Sequence, residues 1–175
     1  MLRVVVFLGL AAAAVLAGGF TVKSPAFGGQ FGIEQVYNGF GCKGENVSPE
    51  VTWEGVPKGT KSFAVTMYDP DAPTGSGWWH WVVYDIPANV RMLKAGASKK
   101  ALPGGAVEGK TSYGSKGFGG ACPPPGDKPH PYILTVYALD AESLKLDESA
   151  TPELVGFYLN AHMLAKASVM AYYGR

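Results

Sequence analysis

The stretch YDPDAPTGSGWWHWVVYDIP (residues 68–87) contains the features from which the fold can be read. It joins the end of one apolar run to the start of another through Asp-Pro-Asp-Ala-Pro and a Gly-Ser-Gly turn. Proline donates no hydrogen bond to a sheet, so the strand that the first run forms should end at Pro70. A simple connection needs neither the two acids nor His80, so the stretch predicts two strands joined beside a binding site.

The other apolar runs predict a mainly β protein. Residues 61–69, 79–87 and 132–140 are rich in aromatic and β-branched side chains and are bounded by Gly or Pro, as strands are. Their nearly continuous apolar character indicates strands that are covered on both faces. Residues 49–57 form a shorter, alternating candidate. The 24 glycines and 13 prolines favour many short elements over long helices.

Two segments carry helical signals. Residues 87–96 could form two turns. The stronger candidate is the terminal segment, residues 151–175, because Thr151 is a suitable N-cap and Pro152 suits the first helical position. Apolar and small residues then recur at helical spacing. The sequence therefore predicts a terminal helix that packs on the sheet.

Residues 1–19 have the pattern of a secretory signal peptide, with one cation, an apolar run and then small residues. The run is shorter than the roughly 20 residues that a membrane anchor needs, although a retained anchor is the alternative. No later segment reaches that length. We therefore expect no transmembrane segment after cleavage and a single domain at residues 20–175, exported to a periplasm or to the extracellular space.

The charge balance argues against two classes of partner. The chain has 15 basic and 14 acidic residues, and loss of Arg3 with the signal peptide would balance them. A neutral chain lacks the positive surface that nucleic-acid binding requires. No cluster of lysine and arginine suggests docking on anionic lipid.

Cys42 and Cys122 are the two cysteines of the chain. In an oxidising compartment such a pair is most simply a disulfide, and closing a loop of about 80 residues would stabilise the fold by roughly 4–4.5 kcal/mol. Two free thiols are the alternative, and a metal site is less favoured because neither cysteine has a His or Cys close in sequence. Cys122 lies in a Gly- and Pro-rich segment, residues 101–127, which the disulfide would tether to the GFGCKG loop (residues 39–44) as one rim of the site.

The acids and aromatic residues of the opening stretch suggest a polar site. In an extended stretch Asp69 and Asp71 point the same way, and two carboxylates about 4 Å apart repel by roughly 4 kcal/mol at an effective dielectric constant near 20. The carboxylates need hydrogen-bond donors, and His80 is one candidate. Strand alternation places Trp78 on the face of His80 and the adjacent tryptophans on the opposite face. The alternatives are an ordinary turn, a structural histidine and tryptophans that belong to the core.

A second polar cluster, PPPGDKPHPY (residues 123–132), places His130 at the start of a strand. Pro129 and Pro131 restrict the backbone on both sides, and a rigidly held histidine suits binding or proton transfer. An exposed turn histidine is the alternative. In the predicted terminal helix, His162 could close one side of a pocket, but it shares its face with apolar residues and is expected to lie under the helix.

Together these motifs resemble the phosphatidylethanolamine-binding protein family, in its bacterial Raf-kinase-inhibitor-like (YbhB/YbcL) branch. Residues 68–87, 123–140 and 159–175 carry the resemblance, which extends from about residue 31 to residue 175. It implies an antiparallel β-sandwich with peripheral helices, including a C-terminal helix, and a small anion pocket at one end. The family's pocket residues would be Asp69, Asp71, Pro73, Trp78, His80, His130 and Tyr132.

One position departs from the family pattern. Pro131 stands where the family usually has an arginine. A guanidinium offers two parallel hydrogen bonds to an anion. Its loss removes such a contact or a salt-bridge partner, and headgroup affinity or anion preference should differ accordingly.

The signal-peptide pattern and the resemblance together predict an exported, non-enzymatic protein, without cofactor or metal. The resemblance implies that its pocket takes phosphate-like groups such as a phospholipid headgroup. The aspartates would orient and charge the histidines, so we expect binding to weaken as the pH rises past neutrality. The rim would face a protein partner, and outside the cytoplasm a protease is easier to accommodate than a kinase. An exposed Trp/Tyr surface could also support a homodimer.

The alternative function is a metal-dependent or acid–base hydrolase. Asp69, Asp71, His80 and His130 contain the groups that such an enzyme needs. The sequence has no Gly-x-Ser-x-Gly motif of the kind that presents a nucleophilic serine. Stoichiometric zinc, lost together with activity on mutation of His80, would favour the enzyme.

Overall fold

A computed structural model describes residues 19–175, so the predicted signal peptide lies outside the described residues except for Gly19. Strands dominate the described part, and the predicted mainly β fold with a helix near the C-terminus is confirmed. The strands are β1 (Thr21–Lys23), β2 (Asn38–Gly39), β3 (Cys42–Lys43), β4 (Val51–Glu54), β5 (Ser62–Asp69), β6 (Trp78–Pro87), β7 (Met92–Leu93), β8 (Val107–Glu108), β9 (His130–Leu139) and β10 (Met163–Tyr173). The α-helix is α1 (Pro152–His162), and short 3₁₀ turns lie at Pro25–Phe27 and Ile33–Gln35.

The strands form two packed antiparallel sheets and a short hairpin. The large sheet has the order β10-β9-β5-β6-β8, the smaller one β1-β4-β7, and β2 pairs with β3. The apolar core between the sheets joins Trp53 of β4 to Phe63 of β5, with ring centroids 5.2 Å apart. On the other face of the large sheet, Ala64 and Tyr84 belong to a second cluster that includes Leu159 of α1. The central strands are therefore covered on both faces, which explains their nearly continuous apolar sequences.

A β-bulge interrupts β6 at His80. Met67 of β5 pairs with Trp81, and the next residue, Tyr68, pairs with Trp79, so His80 has no partner on β5. An extra residue of this kind changes the side-chain alternation locally. Trp79 packs toward the second cluster as expected, but Trp81 belongs to the core between the sheets. The expectation that both tryptophans face away from His80 is thus wrong for Trp81. The cluster of Trp81 also contains Tyr132, whose ring packs against that of His80.

The terminal segment is helical only in its first half. The Thr151 hydroxyl accepts a hydrogen bond from the Leu154 N–H at 3.3 Å, as expected of an N-cap, and α1 ends at His162. From Met163 the chain is β10, which pairs with β9 and alternates in exposure. The prediction of a single terminal helix is wrong beyond His162, because pairing with β9 outweighs the helical spacing of small and apolar residues.

Two further expectations are wrong. Residues 87–96 form turns and the short strand β7 instead of the two helical turns that were predicted. His162 does not lie under the helix: its side chain is 38% exposed and its Nδ1 lies 2.9 Å from Asp140 Oδ1. None of the helices in the described part of the chain is long and apolar enough to cross a membrane.

Candidate ligand-binding pocket

A cavity of about 170 Å³ lies where β5 ends and where β6 and β9 begin. Antiparallel pairing brings these three strand ends to the same edge of the large sheet, with Asp69 opposite Trp78. The residues that line the cavity are Phe40, Asp69, Ala72, Pro73, Thr74, Trp78, His80, Tyr113, Cys122, Pro123, Pro124, His130 and Tyr132. Of the seven residues predicted for the site, the structure brings together all except Asp71.

Asp69 and His130 form a buried pair at the base of the cavity. His130 Nδ1–H donates to Asp69 Oδ2 at 2.8 Å, and both side chains are almost fully buried. The other carboxylate oxygen, Oδ1, accepts the backbone N–H groups of Asp71 at 2.9 Å and Ala72 at 3.2 Å. Burial of a carboxylate requires such donors, and here they fix its orientation. The opposite ring nitrogen of His130, Nε2, lies 3.4 Å from Asp127 Oδ2.

Asp71 points away from the cavity. The backbone turns immediately after Asp69, so it is the N–H of Asp71, and not its carboxylate, that faces Asp69. The carboxylate lies 3.0 Å from Lys128 Nζ and is 31% exposed. The expectation that the two aspartates share a face is therefore wrong, because it assumed an extended backbone where the chain forms a turn.

His80 is held by the glycine-rich segment. Its Nδ1–H donates to the Gly119 carbonyl at 2.8 Å, and the Gly119 N–H donates to the His80 carbonyl at 2.9 Å. A Cβ on Gly119 would lie 2.3 Å from Cε2 of Tyr113, so only glycine permits this close approach. The second ring nitrogen, Nε2, is buried and has no hydrogen-bond partner among residues 19–175.

Burial lowers the pKa of His80 from 6.5 to about 4. The backbone groups of Gly119 and Gly120 and the charge of Asp69 oppose the shift without cancelling it, and His130 adds to it. Loss of hydration disfavours the imidazolium, so the ring is neutral at neutral pH. The expectation that the aspartates charge both histidines is thus wrong for His80.

Aromatic side chains form the walls of the cavity. The ring of Tyr113 stacks on Tyr37 with centroids 4.4 Å apart and meets Trp78 edge-on at 5.3 Å. Tyr113 Oη donates to the Gly120 carbonyl at 2.8 Å. Tyr132 is fully buried, and its hydroxyl has no hydrogen-bond partner in the described part of the chain. Burial is the main cause that raises the pKa of both tyrosines well above 10. The nearby backbone of Cys122 opposes the shift of Tyr132, although its geometry does not make a hydrogen bond.

The rim is cross-linked as the sequence predicted. A disulfide joins Cys42 to Cys122, with Cα atoms 6.0 Å apart, and thereby connects the two loops that border the cavity. The C-terminal Arg175 adds a second connection that sequence reasoning missed. Its Nε donates to the Pro123 carbonyl at 2.7 Å and its Nη2 to the Phe40 carbonyl at 3.2 Å.

Sequence reasoning also missed two aromatic lining residues, Phe40 and Tyr113. Both lie in the loops that were predicted to form the rim, but neither is part of a recognisable motif. No lysine or arginine is among the described residues that line the cavity. Within residues 19–175 no group of three or more His, Cys, Asp and Glu side chains is arranged to hold a metal ion.

Comparisons with known proteins agree with this fold. Residues 23–174 match the family model of the phosphatidylethanolamine-binding proteins. The UPF0098 protein YbcL of Escherichia coli (strain K12) is 54% identical over 83% of this chain and 81% of its own length. The UPF0098 protein YbhB of the same organism is 51% identical over 78% of this chain and 87% of its own. The crystal structure of YbcL superimposes with a TM-score of 0.88 and covers 90% of this chain and 99% of that one.

Proposed function

Because the chain belongs to the phosphatidylethanolamine-binding protein family, we propose that its pocket binds a small phosphate-like anion without catalysing a reaction. The anion is either free or the headgroup of a phospholipid. The cavity is smaller than the roughly 300–1,000 Å³ of pockets for drug-sized ligands, which favours a small group. Three aligned strand ends hold its walls.

The observation that carries the proposal is a pair of buried polar atoms that have no partner. His80 Nε2 and Tyr132 Oη both belong to residues that line the cavity, and neither has a hydrogen-bond partner among residues 19–175. A buried polar group left without a partner costs about 1–3 kcal/mol. A ligand that bonds both atoms recovers this cost, so the site is built for a polar occupant.

Hydrogen bonds from neutral groups must provide most of the affinity. No lysine or arginine is found among the described lining residues, and Pro131 occupies the position of the usual family arginine. A guanidinium contact is among the stronger anion contacts. We therefore expect weaker binding than a pocket with an arginine would give.

The proposal places the protein outside the cytoplasm, in a periplasm or in the extracellular space. The signal-peptide pattern at residues 1–19 supports export, and the Cys42–Cys122 disulfide is typical of oxidising compartments. There the rim would contact a protein partner, a protease more readily than a kinase. Phe40 supports this role because it stands on the rim with 68% of its surface exposed.

The experiment is an NMR titration of the oxidised protein with inorganic phosphate and with phosphoethanolamine. The chain has three histidines, and the proposal predicts saturable shifts of the His80 and His130 ring signals. His162 lies outside the cavity lining and serves as an internal control that should not move. His80→Ala should weaken the response of His130. Absence of any shift in the wild-type protein up to tens of millimolar ligand would refute the proposal.

A further inference from the structure

The hydrogen bond at Nδ1 decides what His80 can do for a ligand. The partner of Nδ1 is the Gly119 carbonyl, 2.8 Å away, and a carbonyl oxygen only accepts. The proton of the neutral ring therefore sits on Nδ1, and Nε2 presents a lone pair. A buried lone pair without a partner requires a donor, which a fully deprotonated oxyanion does not have.

The groups around His80 do not provide that donor. Tyr113 gives its hydroxyl hydrogen to Gly120, and His130 gives its Nδ1–H to Asp69. Asp69 can only accept when it is ionised. Tyr132, whose ring centroid lies 5.0 Å from that of His80, makes no hydrogen bond within residues 19–175. The two buried side-chain atoms of the described neighbourhood that have no partner are thus one acceptor, Nε2, and one hydroxyl.

We propose that the pocket selects tetrahedral oxyanions that keep a hydroxyl, the hydrogen phosphate class, over those that have none, the sulfate class. This inference rests on the proposed function, since it assigns the ligand class of the same site. A phosphodiester headgroup has no phosphate hydroxyl, so of the two sources named there the inference selects the free anion. The ligand hydroxyl donates to His80 Nε2, while Tyr132 Oη–H donates to a deprotonated oxygen of the ligand. Both unpartnered atoms are satisfied by a single anion, and neither partner has to change its charge.

Hydrogen phosphate and sulfate form a matched pair for a test. Near pH 8 inorganic phosphate is largely a dianion that retains one proton, because only its second ionisation lies near neutrality. Sulfate has the same shape and charge but no proton. The buried carboxylate of Asp69 repels both equally, so a difference in affinity reports the hydroxyl.

The experiment measures the dissociation constants of phosphate and sulfate at equal ionic strength near pH 8. We expect sulfate to bind roughly tenfold more weakly or worse, which is the range expected when a buried acceptor faces another acceptor. His80→Ala should reduce phosphate binding to the level of sulfate. Tyr132→Phe, which removes the donor common to both complexes, should weaken both anions by about the same factor and keep their ratio.

The outcomes separate the two claims. Equal binding of phosphate and sulfate by the wild-type protein would overturn the selection but leave the anion pocket in place. Binding of neither anion would overturn the proposed function and this inference with it. The ¹⁵N shifts of His80 provide a readout that needs no variant. Nε2 should stay unprotonated in the phosphate complex, and an imidazolium there would also overturn the inference.

Discussion

Replacement of Tyr132 by phenylalanine should make the protein more stable while it weakens anion binding. The tyrosine is fully buried, and its Oη makes no hydrogen bond to any described residue. An unpartnered buried hydroxyl costs about 1–3 kcal/mol, and phenylalanine keeps the ring packing. We expect the free energy of unfolding to rise by about 1 kcal/mol, which corresponds to roughly 2–4 °C in melting temperature for a domain of this size.

Tyr84 provides the matched control. It is equally buried, but its Oη donates to the Asp147 carbonyl at 2.7 Å. Tyr84→Phe removes a satisfied hydrogen bond and should lower the free energy of unfolding by about 1 kcal/mol. Each substitution removes one tyrosine hydroxyl oxygen. Effects of opposite sign would therefore show that the change in stability depends on whether that hydroxyl has a hydrogen-bond partner.

The assay is thermal and denaturant unfolding of both variants, with and without phosphate. Added phosphate stabilises the wild-type protein by mass action and should stabilise Tyr132→Phe less at the same concentration. If Tyr132→Phe destabilises the free protein as much as Tyr84→Phe does, the Tyr132 hydroxyl is already bonded in the free state. The reasoning that connects this atom to a ligand would then fail.

Three other perturbations test the rest of the structure. Replacing both Cys42 and Cys122 by serine should lower the free energy of unfolding by roughly 4 kcal/mol, as closure of an 80-residue loop implies; denaturant titration measures this, and an unchanged midpoint would contradict it. His80 has a folded-state pKa of about 4 and an ordinary value of 6.5, so the unfolded chain binds more protons in that window and stability falls as the pH falls. Between about pH 7.5 and pH 5 the free energy of unfolding of the wild-type protein should fall by about 2 kcal/mol more than that of His80→Ala. Parallel profiles of unfolding free energy against pH would refute this prediction. Arg175→Ala should speed amide exchange in the Pro123 and Phe40 loops without unfolding the sheet; exchange at the wild-type rate would show that the disulfide alone orders the rim.

The central strands could be predicted because local and tertiary preferences agree there. β5, β6 and β9 are rich in β-branched and aromatic residues, and both of their faces are buried. The terminal segment differs because its Met, Leu and Ala residues favour a helix when taken alone. Its neighbour β9 lies more than 20 residues away for most of the paired positions, and nothing in the local sequence reports that pairing.

The candidate site was predictable where its residues stand at strand ends. Asp69, Trp78 and His130 terminate or open strands, and antiparallel register brings such ends together. The protonation of His80 was not predictable, since it depends on burial under Gly119, a contact between residues 39 positions apart. Tyr113 was missed for the same reason, because only the fold shows which part of the glycine-rich segment lies against the site.

The absence of lysine and arginine from the described cavity lining gives these details a common consequence. A guanidinium would add two parallel, charge-assisted hydrogen bonds to an anion. The described lining instead offers a buried carboxylate, a neutral imidazole and an unpartnered hydroxyl. Recognition must then depend on matching donors to acceptors. Such matching discriminates strongly against ligands that leave a buried group unpaired, so the number of protons on the ligand should matter more than its net charge.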